Sequence, residues 1–344
     1  MGSISPMQMP QRGCFNTVRI ILAFKVMLIH AIWHLDVTSA YDVLYGFSKI
    51  KATPVFFMLS GFLIWGSIGR SKSFNVYFQK RFWRIFPELW VAVGFGLTLV
   101  LLLYDKTINW SQFVGFAFAQ GTCLQFWTPD CLREYGNGVP NGALGSIGIL
   151  IQFYLLAFLI YHFLHGEKMR KWLLALLMAY GLGIFMPIVS DCVPIVCGKL
   201  LGQTIFPYLW IFLTGIFFAE YKERVIPVLR AFWWLILGVF ILVEYTDFDI
   251  KFSYYVLRTL TLFLGLTGFA YAYPKLNVGR DLSYGIYLYH MIVVNVLIVL
   301  GFKQHLWLLP IVVMISGTLA LFSSCFVGDF AEKMKNNIKK KSHE

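Results

Sequence analysis

The chain has 344 residues, 58% of them hydrophobic and 13% charged, with a mean hydropathy of +0.69. Soluble domains are about half apolar and a quarter charged, so that class is excluded. The net charge of +12 follows from basic residues gathered on one side of a membrane, and nucleic acid is not an expected partner.

Apolar runs of about 17–22 residues suit a hydrocarbon core roughly 30 Å thick. They lack the two-residue alternation of barrel strands, so the spans are expected to be α-helical. The expected fold is an all-α polytopic membrane protein, a bundle of about ten transmembrane helices.

Residues 1–16 read as a cytoplasmic leader without a cleavable signal peptide, with Pro6 where a myristoylation signal takes Ser or Thr. Ten spans follow, at about 17–36, 52–68, 86–104, 143–164, 172–190, 200–220, 231–246, 253–273, 282–301 and 306–327. With the N-terminus inside, 20 lysines and arginines fall on the cytoplasmic side and eight outside. That split predicts both termini cytoplasmic. Residues 17–327 form one membrane domain, and 328–344 a basic tail suited to anionic headgroups.

The first span carries RIILAFKVMLIH, residues 19–30. Eleven residues separate Arg19 from His30, about 20° after three turns and roughly 16 Å along the axis. The two share a face. His34 is one turn further on nearly the same face. Lys25 lies about 140° from His30 and is expected to snorkel or pair elsewhere. Ionisable groups at such depth mark functional interiors by default. Taken singly, His30 reads equally well as a core histidine, and Arg19 as a positive-inside anchor.

In the second span, Ser60-Gly61 permits close helix approach. Ser60 has no neighbouring base, so packing is the better reading. QKRFWRIFPELW then places Arg81 and Arg84 one turn apart, where an inner loop meets the third span, with Pro87 in that span's first turn. Two guanidinium forks suit a phosphate-bearing ligand, although lipid headgroups and topology explain a basic loop as simply.

The outer segment 105–142 contains TPDCLREYGNGVPNG, rich in turn residues, and is expected to cap or line an outer cavity. Cys123, Cys131, Cys192 and Cys197 fall outside. The pairs 123–131 and 192–197 are open to disulfide formation, and free thiols fit equally. No cysteine pair has zinc-ligand spacing, and no metal is expected. In the ninth span, DLSYGIYLYHMIVV puts His290 roughly 12 Å from the inner face, at a depth like that of His30. Tyr284, Tyr287 and Tyr289 add hydroxyls.

Arg-x10-His, FFMLSGFLI, Arg-x-x-Arg-Ile-Phe-Pro, GALGSIGILIQFYLL and SYGIYLYH occur in that order. Together they resemble the membrane-bound acyltransferase family 3, bacterial enzymes that O-acylate surface polysaccharides and related acceptors. The resemblance spans about residues 15–327. It implies His30 as the catalytic residue and Arg19, Arg81 and Arg84 as the acyl-CoA site. Gln152 and Tyr154 match its fourth-span element; Ser283, Tyr284, Tyr287 and His290 match its ninth. Two departures stand out. Asn16 replaces an Asp near the helix-1 arginine, and Gly145 and Leu150 replace a Trp and a Glu, so no catalytic acid is assigned.

The resulting expectation is an acyl-CoA-dependent O-acetyltransferase of the bacterial cytoplasmic membrane. It would modify capsule, exopolysaccharide or O-antigen sugars. Acetyl-CoA or another short acyl-CoA is the co-substrate, no cofactor is tightly bound, and a carbohydrate is the acceptor. His30 is the expected general base, with a tyrosine or His290 at the oxyanion. Homo-oligomerisation is left open. The competing reading is a glycan transporter or flippase using the histidines as a proton relay; a non-enzymatic scaffold is the third.

Overall fold

The computed structural model describes residues 13–246 and 256–341, and every regular element among them is helical. Residues 1–12, 247–255 and 342–344 lie outside that range, and with them the myristoylation reading at Pro6, the start of the 253–273 span and the last tail residues.

The helices are α1 (Phe15–His34), α2 (Tyr41–Lys49), α3 (Ala52–Gly69), α4 (Phe74–Leu103), α5 (Trp110–Gln120), α6 (Gly145–Leu164) and α7 (Met169–Cys192). After them come α8 (Ile195–Leu201), α9 (Leu209–Glu220), α10 (Lys222–Thr246), α11 (Val256–Ala272), α12 (Ser283–Val299), α13 (Leu308–Ser323) and α14 (Asp329–Lys341). Among the described residues, seven spans are long and apolar enough to cross a membrane, and eight if the bent pair α8/α9 counts as one. The apolar helices α11 and α12 are 17 residues each. The ten-span expectation is reached only by counting these two as well.

Two boundaries differ from expectation. The third span was expected to open near Pro87, but α4 begins at Phe74, where the Ser73 hydroxyl accepts from the Val76 N–H at 3.4 Å. Pro87 therefore sits inside a 30-residue helix. The cap starts the helix three turns early, and the proline removes only one internal hydrogen bond. Arg81 and Arg84 are thus helical rather than in a loop. The sixth span is broken instead of continuous: α8 and α9 meet at 46°, around Gly202 and Pro207, both poor in helix interiors.

Close backbone approach organises the core. A Cβ at Gly61 of α3 would run into the Phe212 carbonyl of α9, and one at Gly215 of α9 into the Met58 carbonyl of α3. The small residues let the two helices touch, as the Ser60-Gly61 step predicted. Helix α1 lies against α12, and α12 against α13. Large apolar side chains such as Leu102, Val114, Phe118, Leu177 and Ile241 point outward, as a lipid-facing surface requires. All six cysteines are free thiols.

The start of α1, the segment 273–282 and the start of α14 gather at one end. The Asn16 N–H donates to Asn277 Oδ1 at 3.1 Å, and Arg280 pairs with Asp329 at 2.7 Å. The tail helix α14 docks on α4 through an edge-on contact of Phe330 with Trp83.

Candidate active site

At that end, two basic helices converge on one carboxylate. Asp281, just ahead of α12, uses a single oxygen to accept from Arg19 Nη1 at 2.7 Å and Arg84 Nη2 at 2.6 Å. Its other oxygen accepts from the Ser283 N–H and hydroxyl, at 3.1 and 2.6 Å. Burial pushes the Asp281 carboxyl up, but Arg19, Arg84 and the Ser283 bonds outweigh it and hold the group at about 2. Glu88, one turn beyond Arg84, brings a second carboxylate within electrostatic reach of this cluster. Arg81, one turn before Arg84, does not join them. It donates to Ser67 Oγ at 2.8 Å and lies over the rings of Tyr154 and Tyr77, at 5.7 and 6.0 Å. Its Nε is buried without a partner.

Arg19 and Arg84 stand at the mouth of a cavity that runs into the bundle between α1, α3, α4, α6 and α12. Its space is about 710 Å³, open solvent included. Phe57, Leu150 and Tyr154 supply apolar wall, and Ser60, Ser146 and Tyr287 supply hydroxyls. Leu150 keeps apolar a position where the resemblance puts a glutamate.

A second cavity lies beyond the first. Lys25, His30, Lys51, Pro54, Thr53 and Tyr287 line it. Thr53 and Tyr287 line both cavities and so form the wall between them. The Tyr287 hydroxyl is fixed 2.7 Å from Ser146 Oγ. His30 faces the second cavity, not the one holding the arginines.

His30 Nδ1 lies 2.9 Å from His290 Nε2. His290 Nδ1 lies 3.0 Å from the Ile286 carbonyl. A carbonyl only accepts, so His290 Nδ1 carries the hydrogen. Neutral His290 then accepts at Nε2, and His30 must donate from Nδ1. The unshared pair of His30 is left on Nε2. His34 stacks edge-on against His30 at 5.9 Å, and its Nδ1 accepts from Asn137 Nδ2 at 3.2 Å. Asn137 belongs to the turn-rich outer segment, and Asn295 of α12 holds that turn by accepting the Asn137 N–H at 2.8 Å. Gly136 adopts φ +58°, and any Cβ there would overlap the Asn295 side chain. The segment expected to cap an outer cavity does reach the histidine cluster.

A model of the family described as an acyltransferase domain matches residues 12–329. The chain belongs to this acyltransferase family. Among curated proteins, it is 27% identical to "Nodulation protein 10" of Rhizobium leguminosarum bv. viciae, over 98% of each chain. It is also 37% identical to an "O-acetyl transferase" of Shigella phage Sf6, over 24% of each chain. No solved structure matches.

In this acyltransferase the sequence-predicted residues separate into three places. Arg19 and Arg84 meet at Asp281, with Arg81 beside them. Ser60, Tyr154, Tyr284 and Tyr287 line the first cavity, and Tyr284 donates to the Ile85 carbonyl at 3.0 Å. His30 lines the second, with His290 and His34 against it. Gln152 lines neither; its amide donates to the Gln203 carbonyl at 2.9 Å. Lys25 pairs elsewhere, as its helical angle suggested, by donating to the Ile50 carbonyl; it also lines the second cavity with His30.

Asp281, Thr53 and Ser146 went unsingled in the sequence. Asp281 carried one signal, an acidic residue beside Arg280 at the mouth of an apolar span. Asn16, standing where the resemblance puts an Asp, binds Asn277 and the Val278 carbonyl instead. The arginine's carboxylate comes from the far end of the sequence.

Proposed function

We propose that this acyltransferase moves a short acyl group, acetyl first among them, from cytoplasmic acyl-CoA to a hydroxyl of a surface polysaccharide or its lipid-linked precursor, in the bacterial cytoplasmic membrane. One observation carries the reading: two cavities share the Thr53–Tyr287 wall, with arginines at the mouth of one and His30 in the other.

CoA is polyanionic with a long, thin pantetheine arm. Its phosphates suit Arg19, Arg81 and Arg84, and the arm suits the apolar first cavity. The thioester carbonyl would then lie at the Thr53–Tyr287 wall. The acceptor hydroxyl approaches from the second cavity, next to His30. His30 Nε2 takes the hydroxyl proton as that oxygen attacks the carbonyl carbon. The C–S bond breaks, and the imidazolium returns the proton to the departing thiolate. The acyl group has moved from sulfur to oxygen, and His30 is neutral again. During the step His290 Nε2 continues to accept from His30 Nδ1, which favours the imidazolium. The Tyr287 hydroxyl is suited to donate to the oxyanion.

The test is release of free CoA thiol from acetyl-CoA by the detergent-purified protein, with and without an acceptor glycan. His30→Ala should reduce acceptor-dependent release by about 10²–10⁴-fold in a folded protein. Undiminished release in that variant would remove His30 as the base. Transport of glycan without any thiol release would replace the reading with the flippase.

A further inference from the structure

The wall between the two cavities holds a hydroxyl that the transfer just described leaves unused. Thr53 is the second residue of α3, and with Tyr287 it is common to the linings of both cavities. Inside a helix, a threonine hydroxyl can donate to the carbonyl four residues back. Thr98, Thr214, Thr246 and Thr261 all do so, at 2.6–2.9 Å. At Thr53 the fold withholds that carbonyl. Four residues back is Lys49, the last residue of α2, and the chain bends at Ile50 and Lys51 before α3 begins. The half-buried Thr53 hydroxyl has no hydrogen-bond partner among the described residues.

A free donor in that wall has a specific use. When an oxygen attacks a thioester, charge builds on the carbonyl oxygen, whose lone pairs take two donors. Tyr287 supplies one. Ser146 Oγ, 2.7 Å away, can donate to the Tyr287 oxygen and leave the phenolic hydrogen for the substrate. A second donor has to come from the same wall, and Thr53 is the other residue that both cavities share. As a nucleophile Thr53 would compete with the acceptor for the single unshared pair on His30 Nε2. As a donor it asks nothing of His30.

We infer that Thr53 is a catalytic residue: its hydroxyl and that of Tyr287 form a two-donor oxyanion site for the thioester carbonyl, set in the wall between the cavities. This assignment rests on the acyl-transfer reading. No covalent bond to Thr53 forms or breaks. The hydroxyl donates as the carbonyl oxygen gains charge, and it keeps its proton when the C–S bond has broken and the charge has passed to sulfur.

Two variants of the full-length protein in detergent test it. Thr53→Val removes the hydroxyl at nearly constant shape, and Thr53→Ser retains it. The substrates are acetyl-CoA and the host cell's surface polysaccharide stripped of esters by mild alkali, with thiol release followed. Thr53→Val should lower kcat by about 10²–10³-fold, the scale of one lost oxyanion donor. KM for either substrate should stay within about twofold, the unfolding temperature should hold, and Thr53→Ser should stay within about tenfold of the unaltered protein. A kcat loss below about tenfold in Thr53→Val, a loss carried by KM for the polysaccharide, or a serine variant as impaired as the valine one would overturn the assignment. Acid quenching with radiolabelled acetyl-CoA, without acceptor, should leave the protein unlabelled. Label on Thr53 would make it a nucleophile and overturn the donor role. Absence of acceptor-dependent thiol release by the unaltered protein would overturn the acyl-transfer reading itself, and this inference with it; release that survives Thr53→Val undiminished would overturn the inference alone.

Discussion

His30 and His290 are joined through Nδ1 and Nε2 at 2.9 Å, and the Ile286 carbonyl at 3.0 Å fixes the direction of that bond. In the acyl-transfer reading His290 is a positioning residue: it selects the His30 tautomer whose unshared pair is on Nε2. Partners that orient metal-bound imidazoles matter by about 10–100-fold, and the same scale is expected for this pair. His290→Ala should lower the turnover rate by that order while leaving KM for acyl-CoA within about twofold. His290→Gln, whose side-chain oxygen can accept from Nδ1, should recover part of the loss. Equal losses in the two variants would indicate simple packing.

Asp281 gives a stability prediction with a defined sign. Its carboxyl is held down at about 2 in the folded protein, below the ordinary value of about 3.9. A depressed carboxylate contributes fully above its unfolded pKa, and the contribution fades as pH falls through the folded one. Asp281→Asn leaves Arg19 and Arg84 without their shared anion and should destabilise by about 3 kcal/mol. The deficit relative to the unaltered protein should be constant from about pH 5 to 8 and shrink below about pH 4. Thermal unfolding in detergent across that range measures it; a deficit that grew on acidification would contradict the pairing.

What the sequence made legible was whatever depends on one helix. Helical rise placed His30 and His290 at a common depth, and the structure joins them. The Ser60-Gly61 step marked a close helix crossing, and α9 meets it there. What escaped depends on two segments at once. Asp281 lies 262 positions from Arg19, so no local spacing reveals the pair. Lys25 bonds the Ile50 carbonyl, a partner away from His30 as its 140° angle implied, but only residues 50–54 reveal the cavity that both line. Pro87 looked like a helix start because a short apolar run conceals the capped, basic turns before it.

Tyr287 is shared by both cavities, with its hydroxyl 2.7 Å from Ser146 Oγ. If it donates to the thioester oxygen as charge builds, Tyr287→Phe removes a hydrogen bond used only in the transition state. Loss of one oxyanion donor costs about 10²–10³ in turnover. Tyr287→Phe should approach that loss with little change in KM for either substrate. Ser146→Ala, which only frees the tyrosine hydroxyl, should cost less than about tenfold. Rapid-quench measurement of acyl transfer decides it, and a turnover rate unchanged in Tyr287→Phe would assign the oxyanion to another donor.

Arg81 and Arg84 are one turn apart but should respond differently to removal. Arg84 shares Asp281 with Arg19; deleting it weakens a structural ion cluster as well as any phosphate site. Arg81 has no carboxylate partner, lies over two tyrosine rings, and keeps a buried Nε without a bond. Its fork is bound to the Ser67 hydroxyl and to no carboxylate, so a ligand anion would meet no competing charge there. Arg81→Ala should weaken CoA binding by about tenfold or more, the scale of one charge-assisted hydrogen bond, with the unfolding temperature nearly unchanged. Arg84→Ala should weaken CoA binding and lower the unfolding temperature together. Calorimetric titration with CoA and thermal unfolding of both variants separate the effects. Unchanged CoA affinity in Arg81→Ala would leave that arginine to the membrane surface.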